Sequence, residues 1–159
     1  LVIGDALAVC LLEIRKFTKD DFAKFHPGGI LGKKLFLTIK EISDLNEKPL
    51  VSPNSSVKDV IVEISKKRLG VTAVVENGAI LGIITDGDLR RMLSDTNDFS
   101  SLSAADIMSE NPKTMDCNAL AADARTLMET HEISQLLVLK DNEYSGVIHI
   151  HDLIKEGII

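Results

Sequence analysis

The feature that most constrains this chain is an internal repeat. Shifted by 64 residues, the sequence aligns onto itself without a gap from Asn54 onward. Asn54 meets Asn118, Asp59 meets Asp123, Val74 meets Val138 and Gly82 meets Gly146. Ile84 meets Ile148, Asp88 meets Asp152 and Leu89 meets Leu153. The hydrophobic pattern repeats along with these identities. Two copies of one supersecondary unit, each too small to bury its apolar face alone, must therefore share the fold.

Each copy reads as helix–strand–strand–helix. Ser56 can cap a helix in which Val57, Val60, Ile61 and Ile64 recur at i, i+3, i+4 and i+7. Leu120, Ala124, Leu127 and Met128 mark its counterpart. A β-branched strand, 71–75, follows, then the hairpin signal Asn77-Gly78, whose residues tolerate positive φ, then a return strand over 79–85. In the second copy the strands are expected over 135–139 and 144–148, joined through Asp141-Asn142. Closing helices are expected from near Asp88 and near Asp152, with the polar stretch 94–103 linking the copies.

Upstream, Leu1 to Phe17 reads as a helix that is apolar nearly all round, which needs protein on several sides. Thr18 with Asp21 suggests the cap of a short helix to about Phe25. His26-Pro27-Gly28-Gly29-Ile30-Leu31-Gly32 reads as a loop, and 33–48 as a mixed connector. The opening at Leu1, with neither Met nor a basic lead, suggests a piece of a longer protein. The first helix is then expected to be disordered or swapped onto another chain.

Composition removes several functions. Eighteen Lys+Arg against 24 Asp+Glu leave a net charge of −6, which argues against a nucleic-acid surface. No Trp, one Tyr and five Phe leave little for base stacking. No apolar run approaches the roughly 18 residues of a membrane span. Cys10 and Cys117 form no C-x-x-C pair and read as buried thiols, as expected of a cytoplasmic protein.

Two motifs carry a resemblance. Gly82-Ile83-Ile84-Thr85-Asp86-Gly87-Asp88-Leu89 and Gly146-Val147-Ile148-His149-Ile150-His151-Asp152-Leu153 resemble the end of a CBS motif. Asp106-Ile107-Met108 with Pro112, and more weakly Ile42-Ser43-Asp44-Leu45, resemble the lead-in to such a unit. The N-terminal Gly4-Asp5-Ala6-Leu7-Ala8-Val9 and the stretch His26 to Leu35 are similar to the end of the sugar isomerase (SIS) domain of D-arabinose 5-phosphate isomerases. The resemblance implies an α/β (α+β) fold. Residues 1–37 would be an isomerase-domain tail and linker, 38–98 the first CBS unit and 99–159 the second. It also implies a pseudo-twofold module with two clefts for adenosyl or other nucleotides.

On that resemblance, His26 is the candidate catalytic residue of a full-length enzyme that interconverts ribulose 5-phosphate and arabinose 5-phosphate for lipopolysaccharide or capsule synthesis. Proton movement between C1 and C2 needs a group titrating near neutrality. The chain itself is expected to be inactive. Thr85 and Asp88 fit a helix cap, or a phosphate contact and a ribose contact at a helix N-terminus. His149 and Asp152 hold the same positions in the second copy, where a phosphate contact requires His149 to be protonated. Arg90, Thr72 and Gln135 complete the candidate ligand-binding set. His149 and His151, two apart on an expected strand, with Asp152, are the residues a metal-dependent hydrolase would use, but polar groups at a cleft mouth describe them as well. No metal and no cofactor is expected. The ligand expected is an adenine nucleotide or a nucleotide sugar such as CMP-Kdo. The assembly expected is a homo-oligomer, a dimer of CBS pairs or a tetramer of the full-length enzyme. The alternative function is oligomerisation without a ligand.

Overall fold

The structure, a computed structural model, describes residues 1–18, 21, 29–96 and 98–159. His26 and the expected short helix to Phe25 lie outside the described residues. The cap that would open that helix is present: Thr18 Oγ1 donates to Asp21 Oδ2 at 2.8 Å, and Asp21 N–H donates back to Thr18 Oγ1.

The repeat governs everything after Pro49. In the first unit, β1 (Leu50–Val51) leads to α4 (Val57–Lys67), β2 (Val71–Glu76), β3 (Ala79–Thr85) and α5 (Asp86–Asp95). In the second, β5 (Thr114–Asp116) leads to α7 (Ala121–His131), β6 (Gln135–Lys140), β7 (Glu143–His149) and α8 (Ile150–Lys155). Ser56 caps α4 by accepting from Asp59 N–H. Arg68 and Glu132, the residues that end α4 and α7, both adopt left-handed backbone. Both hairpins turn through two residues of positive φ, Asn77-Gly78 and Asp141-Asn142, which matches strand twist in a tight hairpin. Both bulge at the same place, between Val74 and Val75 and between Val138 and Leu139.

Each hairpin is buried on both faces, which is why its first strand reads as a nearly continuous apolar run rather than an alternation. Val74 and Ile84 pack with Val60 and Ile64 of α4. Leu136, Val138 and Ile148 pack with Ala124 and Met128 of α7. The opposite faces meet: Val71, Ala73, Leu137 and Val147 form one cluster between the units. Tyr144 reinforces that contact, its buried hydroxyl donating to Pro49 O at 2.8 Å.

The segments before each unit cross over. What reads as connector is α2 (Ile30–Phe36) and α3 (Ile39–Ser43), and helix α2 begins inside the expected glycine loop. Ile39 and Ile42 of α3 are buried in the second unit's core, and Ile39 N–H donates to Ala119 O. The later helix α6 (Ala104–Ile107) serves the first unit instead, with Ala104 in its core and donating to Ser55 O. Thr38 with Glu41 and Ser103 with Asp106 cap the two helices in the same way. After α6, β4 (Ser109–Glu110) adds to β3, so one sheet runs β1-β2-β3-β4 and the other only β5-β6-β7.

The first helix, α1 (Val2–Ile14), is formed rather than disordered, in keeping with its Ala- and Leu-rich composition. None of its residues is buried. Cys10 is therefore exposed, contrary to the reading of both thiols as buried; Cys117 is buried. Among the described residues, no helix is long and apolar enough to cross a membrane.

Candidate ligand-binding site

The site forms where each hairpin runs into its second helix. In the first unit, Thr85 N–H and Thr85 Oγ1 donate to Asp88 Oδ2 at 2.8 and 2.6 Å, and Asp88 N–H donates back to Thr85 Oγ1. Asp88 Oδ1 accepts from Ser109 Oγ at 2.9 Å and pairs with Arg91. Burial by itself would raise the Asp88 pKa, but the bonds from Thr85, Ser109 and Arg91 outweigh it and hold the carboxyl below its ordinary range. The result is an ionised carboxylate, 7% exposed, at the first turn of α5.

The second unit uses different chemistry in the same place. His149 N–H donates to Asp152 Oδ2 at 2.8 Å, and His151 N–H donates to His149 Nδ1 at 3.0 Å. The two imidazoles stack with centroids 4.7 Å apart. They do not share a strand face as expected, because His149 is the N-cap of α8 and His151 lies within it. Nδ1 thus carries the lone pair. Burial first, and then the neighbouring His151, lower the His149 pKa against the pull of Asp152. The ring is neutral near pH 7, so the protonated His149 that a phosphate contact would need is disfavoured. With Nδ1 already used, the trio presents no ready metal ligand set, and no group of three such residues among the described ones could hold a metal.

Between the two junctions runs a cleft with two lobes. One, of about 500 Å³, is lined by Gly70, Thr85, Asp86, Gly87, Arg90 and Gln135 among others. The other, of about 480 Å³, shares Gly70, Asp86 and Gln135 and adds Arg68, His149, His151 and Asp152. Gly70 has φ +66°, and a Cβ there would lie 3.3 Å from the Asp86 carboxylate. Asp86 N–H donates to Gly70 O, and the equivalent Ile150 N–H donates to Ser134 O. A third cleft, of about 320 Å³, opens between α5 and α6 and is lined by Asp88, Arg91, Asp95, Leu102 and Asp106. Arg91 borders both this cleft and the first central lobe.

Five of the candidates read from sequence thus line the central cleft, Thr85, Arg90 and Gln135 in one lobe and His149, Asp152 and again Gln135 in the other, while Asp88 lines the separate cleft between α5 and α6. Thr72 is not brought to a cleft wall. It is fully buried on β2, and its hydroxyl has no partner among the described residues. Sequence reading missed Gly70, Asp86 and Ser109. Only Asp86 stood in a quoted motif; nothing local marks Ser109, which reaches Asp88 through the crossed-over β4.

A pseudo-twofold pair of β-hairpins with crossed lead-in helices, and a cleft at the paired helix starts, defines a class. The CBS-domain family model matches residues 39–95 and 104–158, and the chain belongs to that family. It is 45% identical over its whole length to the arabinose 5-phosphate isomerase KdsD of Yersinia pestis and 44% identical over 98% of its length to that of Francisella tularensis. The chain spans about half the length of these curated relatives, 49% and 48%. Solved structures share the fold. A CBS domain protein of Pyrobaculum aerophilum complexed with AMP superposes with a TM-score of 0.66 at 22% identity, over 74% of this chain and 90% of that one. A putative acetoin utilization protein of Vibrio cholerae gives 0.69 at 15% identity, over 77% and 91%.

Proposed function

We propose that this chain is the ligand-sensing CBS pair of an arabinose 5-phosphate isomerase and that it regulates the isomerase. The observation that carries this is that Arg91 lines both the α5–α6 cleft and the central lobe. A nucleoside fits the α5–α6 cleft, where the ionised Asp88 faces its ribose hydroxyls. Its phosphate lies toward Arg90, Arg91 and the start of α5, where helix N–H groups favour an anion. The CBS domain protein complexed with AMP supports a nucleotide as the kind of ligand, and the isomerase relatives support the enzyme it serves. A ligand distinct from the sugar phosphate, an adenine nucleotide or an end product such as CMP-Kdo, would couple a separate site to catalysis. On this reading the module is cytoplasmic, His26 belongs to catalysis in the full-length enzyme, and the chain alone converts no ribulose 5-phosphate.

Calorimetric titration with ATP, AMP, CMP and CMP-Kdo tests the reading. Saturable heat with at least one is expected. No heat with any of them leaves a structural module. One observation favours that second role: α1 exposes Leu7, Val9, Leu12 and Ile14, apolar area that assembly would cover. Light scattering of the chain with and without residues 1–17 measures that contribution.

A further inference from the structure

The two units are alike in backbone but not in their outer clefts. The α5–α6 cleft of the first unit holds about 320 Å³, while the equivalent space beside α8 holds about 70 Å³. Asn46 lines the smaller cleft. In the first unit, β4 pairs with β3 at Ile83 and Ser109, and the Ser109 hydroxyl donates to Asp88 alongside Thr85 and Arg91. Among the described residues the second sheet has no such fourth strand. There Asn46, from the turn after α3, puts its amide where β4 would be. Its Nδ2 donates to Val147 O at 3.1 Å and to Asp152 Oδ2 at 2.8 Å. Val147 and Asp152 stand 64 residues beyond Ile83 and Asp88, so Asn46 engages the counterparts of the residues that edge the open cleft. Glu156, on the same wall, pairs with Lys33 at 2.7 Å.

We infer that Asn46 acts as a built-in occupant of the second unit's cleft, so that each chain binds one nucleotide, in the first unit only. This rests on the ligand-sensing reading above. The Asn46 carboxamide, bonded to Val147 O and to Asp152 Oδ2, lines the smaller cleft and takes up space that a ribose would enter. The second unit then serves as an anchor: Lys33 and the α2 segment fasten onto it, while the first unit stays open to the solution.

The test is calorimetric stoichiometry with the same four compounds. For whichever compound gives heat, the chain is expected to bind 1 equivalent, and Asn46→Gly about 2. Arg91→Ala, at an exposed position of the open cleft, is expected to weaken binding at least about ten-fold, and Lys155→Ala, beside the closed cleft, to leave it unchanged. Because both are exposed, this pair decides the matter even if Asn46→Gly folds poorly, which a thermal melt would reveal. Two sites in the unaltered chain, a folded Asn46→Gly that stays at one, or binding lost with Lys155→Ala but kept with Arg91→Ala would overturn the inference and leave the sensing reading standing. Absence of heat with every compound overturns both.

Discussion

Thr72 offers the sharpest test of how the hairpin is packed. Its side chain faces the first unit's helices, beside Val74 and opposite Ile84 in the ladder. It is fully buried, yet the hydroxyl has no partner among the described residues. An unsatisfied buried polar group costs about 1–3 kcal/mol in lost hydration. The equivalent position of the second unit is Leu136, equally buried and apolar, so this face of the hairpin accepts hydrocarbon. Thr72→Val replaces the hydroxyl by a methyl group of nearly the same volume and removes the penalty. Part of the gain is lost to imperfect repacking, so the expected stabilisation is about 1 kcal/mol. For a chain of this size that raises the melting temperature by about 2–4 °C. Urea unfolding should show a higher midpoint with an unchanged slope, since the surface exposed on unfolding is the same. Nucleotide binding, if detected, should not change. A loss of 1 kcal/mol or more would mean that the hydroxyl has a partner, and weakened binding would mean that Thr72 reaches the ligand. Either result would rule out a buried, unpartnered Thr72 hydroxyl.

Two further predictions concern the junctions. Gly82 on β3 lies so close to β4 that a Cβ would sit 2.9 Å from Ser109 O and 2.6 Å from Met108 Sδ. Gly82→Ala must push the strand away and is expected to cost about 1–3 kcal/mol in urea unfolding, while a value near zero would mean that β4 yields freely. His149 has a pKa lowered in the folded state. Its contribution is therefore present above the unfolded value of about 6.5 and is lost as pH falls through the folded value, when Nδ1 takes a proton and can no longer accept from His151 N–H. His149→Thr, which installs the first unit's capping residue, should flatten the stability profile between pH 7 and 5. An unchanged slope would place the acid sensitivity elsewhere.

What the sequence reveals here follows from what is local. The hairpins and the amphipathic helices were legible because apolar periodicity and two-residue turns depend on near neighbours; β2, β3, β6 and β7 lie within a residue of their expected limits, and α4 opens after Ser56 as expected. The two-residue strands β1 and β4 were not legible, since each exists only through pairing with a distant hairpin. The crossed lead-ins were hidden for the same reason: nothing in Ile39 or Ile42 says that they close the second unit rather than the first. At the site, Thr85 and Asp88 stood out because capping and ligand binding favour the same residue types. Asn46 did not, because its importance comes from a bond to Val147 O, 101 residues away.

The central claim is that a nucleotide enters the first unit and spares the second. Amide chemical-shift mapping of the chain, titrated with ATP, AMP, CMP and CMP-Kdo, tests it residue by residue. For at least one compound, saturable shifts are expected over 85–91 and 102–107, with little change at Asn46 and over 150–155. Shifts centred on 150–155, or none with any of the four compounds, would contradict it.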